Sequence, residues 1–131
     1  MKYLVDTHIL LWSFFEPQRL SRNIHNIITN TANEIYYSPI SLWEISIKYA
    51  LKKLFLNGLT PEDFYHELNS SFYRCKEINS LTTITSHKLP VLHKDPFDRF
   101  LIWEAIQSGF TFLSADSNVV KYDKEGLQVI T

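Results

Sequence analysis

Short apolar runs, each handing over to a helical segment, constrain this chain more than any other feature. Tyr3-Leu4-Val5 is one such run, and Asp6 ends it. Thr7-His8 then opens a helical stretch through Ile9, Leu10, Trp12 and Ser13, which Pro17 stops. Ile35-Tyr36-Tyr37 is a second run, followed by a helix that Ser38 caps and Pro39 begins. Phe110-Thr111-Phe112-Leu113 is a third, rich in aromatic and β-branched residues. A strand at Leu127–Ile130 closes the chain, and a weakly patterned one is expected at Tyr73–Ile78. Strands that alternate with helices fold as an α/β domain with a mainly parallel central sheet, here of about four to five strands.

The intervening helices carry their own punctuation. Ser21 caps a helix expected over Arg22–Ala32, with Ile24, Ile27 and Ile28 inward. The helix after Pro39 has an apolar stripe from Ile40 through Trp43 and Ile47 to Leu54. Thr60-Pro61-Glu62-Asp63 is a cap, a first-position proline and an acidic first turn for a helix to about Ser70. Ser80 is the expected cap of a short helix, Leu81–Leu89. In His93–Ile106, HKDPFDRFLIWEAI, Asp95 caps, Pro96 takes the first position and Asp98 falls in the first turn. Phe97, Leu101 and Ala105, with Ile102 and Ile106 beside them, turn this helix inward, and Gly109 ends it.

The totals exclude several classes. With 131 residues, the chain suits a single domain over 1–131 with one core. Hydrophobic residues at 45% and charged residues at 21% are globular proportions. The net charge of −1 announces no general polyanion binder. If four acids gather in one site, however, the remaining surface is mildly basic. Cys75 stands alone, which removes a disulfide framework and a cysteine metal cluster. The opening residues read as a strand and not as a leader, and no segment suits a membrane span, so a soluble, cytoplasmic protein is expected.

Four carboxylates have a shared address. In a parallel α/β sheet, the carboxyl ends of the strands lie along one edge. Asp6 ends one strand and Asp116 follows another, while Asp98 begins the helix leading into that second strand. Glu44, near the start of a helix that follows a strand, reaches the same edge. Each has a plainer role: Asp6 as a helix cap, Glu44 in an i,i+4 pair with Lys48 or a capping box with Ser41, Asp95 and Asp98 as first-turn acids. Together they repel, which raises their pKa values or demands a cation. A hard divalent ion with oxygen ligands, completed by substrate phosphate, resolves the repulsion, and the chemistry it favours is phosphodiester hydrolysis.

The stretches YLVDTHILLW, SPISLWEI, HKDPFDRFLI and FLSAD resemble the four acidic motifs of the PIN-domain family, most nearly its small VapC-type toxins from bacterial toxin–antitoxin pairs. The resemblance covers nearly the whole chain, with all four acids in order. It implies a three-layer α/β/α fold and a Mg²⁺- or Mn²⁺-dependent endoribonuclease acting on RNA. It also implies an antitoxin protein as partner, and often a homodimer. Carried over residue by residue, the metal-binding and catalytic acids are Asp6, Glu44, Asp98 and Asp116. The acid preceding the inward run Phe100-Leu101-Ile102 matches the family position, which selects Asp98 and leaves Asp95 as a cap or an outer neighbour. Thr7 or Ser114 supplies a small hydroxyl beside the site. Lys48, Lys94 and Arg99 are candidate contacts to the RNA backbone. The three tryptophans are expected in the core or a dimer interface.

Three other readings compete. A non-catalytic RNA- or protein-binding module on the same fold would keep the acids without using them. A phosphoacceptor domain would need a strand-end lysine, and none is present. A haloacid-type phosphatase would need an acid at position 8, which is His8.

Overall fold

The computed structural model describes residues 1–131. Five strands form one sheet: β1 (Lys2–Val5), β2 (Glu34–Tyr37), β3 (Arg74–Cys75), β4 (Thr111–Leu113) and β5 (Val129–Ile130). Their order is β3-β2-β1-β4-β5, and every pairing is parallel. The chain moves outward from β1 to β3 and then returns to β4 on the other side of β1. The strand order therefore reverses between β1 and β4, the place where open α/β sheets hold ligands. Register there is set by Tyr3 opposite Thr111 and Val5 opposite Leu113.

Seven helices flank the sheet: α1 (Thr7–Phe15), α2 (Arg22–Thr29), α3 (Pro39–Ala50), α4 (Pro61–Asn69), α5 (Ser80–Thr85), α6 (Pro96–Ser108) and α7 (Ser117–Val120). Strand side chains alternate between two cores, as the pleat requires. Tyr3, Val5, Ile35 and Tyr37 face one core with Ile9, Leu10, Ile24, Ile45, Phe64 and Leu68. Leu4 and Phe112 face the other, with Leu101, Ile102, Ala105, Val119 and Tyr122. The expected three-layer α/β/α architecture is thus present. No helix is long and apolar enough to cross a membrane.

Most element starts follow local chemistry. Ser21, Ser38, Thr60, Asp95 and Asp116 each accept a backbone N–H at a helix start. Thr60 and Asp63 form a full capping box. Gly109 ends α6 in the left-handed region, at φ 70°, where a Cβ would be strained.

Several boundaries differ from the sequence expectation. Helix α2 stops at Thr29 and not Ala32, because the Asn33 side chain donates to the Ile27 carbonyl and closes the end. Helix α3 stops at Ala50 and does not reach Leu54. Lys52 turns left-handed at φ 58°, and the Lys53 N–H returns to the Lys48 carbonyl. The β3 strand is two residues long, not six. Asn79, not Ser80, caps α5, since its Oδ1 accepts from both Leu81 and Thr82. The Ser41–Glu44 capping box does not form, because Ser38 already caps α3.

Candidate metal centre

The site lies at the switch point, and its first acid is also a cap. Asp6 follows β1 in extended backbone, and its Oδ1 accepts the Ile9 N–H at 2.7 Å. Its own N–H donates to the Leu113 carbonyl at 3.0 Å, which fixes it against the end of β4. Asp6 is only 3% exposed. Burial pushes its carboxyl up to about 6, against the pull of Ser114, the Ile9 N–H and His8, with Asp98 adding repulsion. The cap read from the sequence is therefore present, on a carboxylate whose charge is costly to bury. Thr7 and Ser41 are also buried, and the Thr7 hydroxyl donates to Ser41 at 2.9 Å, tying α1 to α3.

Asp98 and Asp116 come together from α6 and from the turn after β4. His93 stands between them, its Nε2 2.9 Å from Asp98 Oδ2 and 3.2 Å from Asp116 Oδ2. One donor atom from each of these three residues lies within 4.8 Å of the others. Burial, followed by repulsion from Asp95, raises the Asp98 carboxyl; Glu44 adds to the rise and His93 opposes it. The Asp116 N–H donates to Ser114 Oγ at 3.1 Å, and its Oδ1 caps α7 through the Asn118 N–H at 2.8 Å. Asp95 is the cap of α6, accepting from Phe97 at 2.9 Å and Asp98 at 3.0 Å through one oxygen.

Glu44 is 2% exposed on α3. Its Oε2 pairs with Lys48, while its Oε1 is buried with no hydrogen-bond partner. Burial opposes the charge of Lys48. The bond and attraction of Glu44, with Asp95 and Asp98 behind, hold the ammonium above its ordinary value nonetheless. A cleft beside the pair is lined by Thr7, His8, Lys48 and Lys53.

Among the candidate RNA contacts, Arg99 sits differently from the sequence reading. The Arg99 guanidinium faces the preceding loop, donating to the Leu89 and Pro90 carbonyls at 3.0 and 2.9 Å. Trp43 is 59% exposed, with an edge-on contact to Phe97, which excludes the core and leaves the dimer interface of the two places expected for it. Lys94 is exposed, as expected for a free cation. Two residues were missed altogether. Tyr122 is fully buried, and its hydroxyl accepts the N–H groups of Leu92 and His93, both at 2.9 Å, and donates to the Pro90 carbonyl at 2.8 Å. That hydroxyl fixes the loop from which His93 reaches the acids. For His93, the only available signal was its place just before a capped acidic turn.

The model of the family described as PIN domain matches residues 3–125. The chain belongs to the PIN-domain family. Among solved structures, this PIN domain is similar to FitAcB from Neisseria gonorrhoeae, at 17% identity over 98% of this chain and 96% of that one, with a TM-score of 0.69. It is similar to VapBC2 from Rickettsia felis, solved bound to a DNA fragment from its promoter, at 18% identity over 99% and 98% with a TM-score of 0.67. DNA-bound VapBC from Salmonella typhimurium gives 15% identity over 99% and 97% and a TM-score of 0.66. At these identities the likeness is one of fold. No curated protein matches the sequence.

The donor set of this PIN domain fits a hard divalent cation. Asp98 and Asp116 offer carboxylate oxygens that lie with His93 within 4.8 Å of one another, while Asp6 and Glu44, whose charges bear on Asp98, stand outside that group. The Glu44 Oε1 atom is a buried acceptor with nothing to accept. A buried carboxylate oxygen left in that state is costly unless a cation or an ordered water answers it.

Proposed function

We propose that this PIN domain is a Mg²⁺- or Mn²⁺-dependent endoribonuclease, the toxin of a toxin–antitoxin pair. The observation that carries the reading is the partnerless, buried Glu44 oxygen, on a carboxylate whose charge bears on Asp98, which in turn shares His93 with Asp116 and adds repulsion at Asp6. A divalent ion bound there supplies charge against the scissile phosphate, acidifies water and stabilises the leaving oxygen. Asp6, Asp98 and Asp116 hold it. Glu44 orients the attacking water or joins them, with Lys48 holding its other oxygen in place. Ser114 and Asp95 fix the backbone on which Asp116 and Asp98 stand, and Thr7 braces α1 against α3. Lys48, Lys53 and Lys94 offer positive charge to the RNA backbone beside the acids. The Arg99 guanidinium is engaged with its loop and serves the scaffold.

The same reading carries an antitoxin protein as inhibitor, a homodimer and a cytoplasmic setting. Structural likeness to VapBC and FitAcB assemblies supports the antitoxin. Co-expression with the cognate antitoxin and light scattering of the purified protein check partner and dimer.

The deciding experiment is cleavage of a mixed structured RNA by the purified chain, with Mg²⁺ or Mn²⁺ against EDTA. Wild type cuts only with the ion, Asp98→Asn loses at least about a hundredfold in rate, and Asp95→Asn keeps it. A wild type that cuts nothing, and whose melting temperature Mn²⁺ leaves unchanged, overturns the reading in favour of the binding module.

A further inference from the structure

The metal reading leaves one group at the mouth without a task. His93 directs Nε2 at two of the acids, 2.9 Å from Asp98 Oδ2 and 3.2 Å from Asp116 Oδ2. The ring is also held from behind. Its Nδ1 faces the Asp95 backbone N–H at 3.5 Å, and the His93 N–H is fixed by Tyr122 at 2.9 Å. A backbone N–H only donates, so Nδ1 is the acceptor and Nε2 carries the proton. That proton is shared between two carboxylates.

The same oxygens are the ones a cation must use. An octahedral ion with ligands at about 2.1 Å sets neighbouring donors about 3.0 Å apart. The separations around Nε2 are of that size, so the N–H sits within the ligand sphere such an ion would form. A protonated nitrogen cannot ligate a cation, and its hydrogen repels one. Making Nε2 a ligand would move the proton to Nδ1, where it would point into the Asp95 N–H.

We propose that His93 is a placeholder: its Nε2–H bridges Asp98 and Asp116 in the ion-free protein, and a divalent cation binds only by displacing the ring. This inference rests on the metal reading above. Linkage fixes its sign. A contact present only in the ion-free state weakens ion binding by its own worth, so removing it tightens binding. A metal ligand, or a residue that holds the acids in the bound state, gives the opposite sign.

The test is calorimetric titration of the purified full chain with MnCl₂ at one fixed pH, on wild type, His93→Leu and His93→Gln. His93→Leu binds Mn²⁺ about tenfold more tightly than wild type, the worth of one hydrogen bond to a charged group. Its ion-free melting temperature falls. His93→Gln, whose amide N–H still reaches a carboxylate, lies between the two and carries the test if His93→Leu does not fold. Spin-echo spectra of Mn²⁺ on wild type show no nitrogen coupling. Equal or weaker binding by the variants, or a nitrogen coupling that His93→Leu removes, overturns the placeholder and leaves the metal reading intact. No binding by wild type or by either folded variant overturns both.

Discussion

Two carboxylates on α6, one half-buried and one fully buried, live under opposite conditions. Asp98, in the first turn, shares a polar mouth with His93, Asp116, Asp95 and the Lys48–Glu44 pair. About two turns further along the same helix, Glu104 lies 1% exposed, and neither of its oxygens has a hydrogen-bond partner. Its nearest cation is the Lys76 ammonium, 3.8 Å away. Burial is the main force raising both carboxyls. The difference lies in what surrounds them. Asp98 has other acids close enough to share one ion, so its cost is recoverable on binding. Glu104 has no second acid beside it, so its cost is permanent. Burial and a raised pKa therefore do not identify a site; convergence of acids does.

The sharpest way to break this contrast is at Asp6. Its carboxyl rises from the ordinary 3.8 to about 6 on folding. The charged form is the disfavoured one in the folded state. Full stability is present below the unfolded value and is lost as pH climbs through the folded one, so the ion-free protein weakens between about pH 4 and 6. Asp6→Asn should then raise ion-free stability at pH 8 by up to about 3 kcal/mol. It should also abolish stabilisation by Mn²⁺, both read from denaturant curves with and without the ion. A variant that is no more stable than wild type at pH 8 would show that Asp6 bears no such cost.

Tyr122→Phe comes next. It strips the acceptor from two loop N–H groups and should cost about 2 kcal/mol. Hydrogen exchange at Leu92 and His93 should quicken, and unchanged exchange there would remove Tyr122 from the support of the mouth. Glu104→Met should be neutral or stabilising by about 1 kcal/mol, with Mn²⁺ affinity unchanged. A loss of several kcal/mol would instead mean that the Lys76 pair holds the fold. Smallest of all is Asp95→Asn, which keeps the cap and should move stability by less than about 0.5 kcal/mol. A large loss of Mn²⁺ affinity in that variant would bring Asp95 into the metal shell.

What the sequence made legible was what short-range chemistry decides. Alternation put Tyr3 and Val5 on one face and Leu4 on the other. Caps at Asp6, Ser38, Thr60 and Asp95, and the left-handed Gly109, fixed most helix ends. Asp6 and Asp116 lie at one edge because both follow strands of a parallel sheet, and the motif resemblance chose Asp98, which the structure brings to Asp116, over Asp95. The rest turned on partners distant in the chain. Arg99 looks like a free cation at a helix start until the Leu89 and Pro90 carbonyls are seen in front of it. His93 shows no local pattern, and its hold on two acids depends on Tyr122, far along the sequence. Asn33 ends α2 by reaching back past a turn. Trp43 fits an apolar stripe by spacing alone, yet α6 covers only its edge.

The strand order has a consequence for synthesis. With β4 between β1 and β5, the crevice exists only once β1 and the much later β4 have paired. Asp6 leaves the ribosome first among the four acids and Asp116 last. A growing chain, or one cut short before Thr111, has no groove in which those two can meet. On the function proposed above, a ribosome making this chain is not exposed to the activity until Asp116 has emerged.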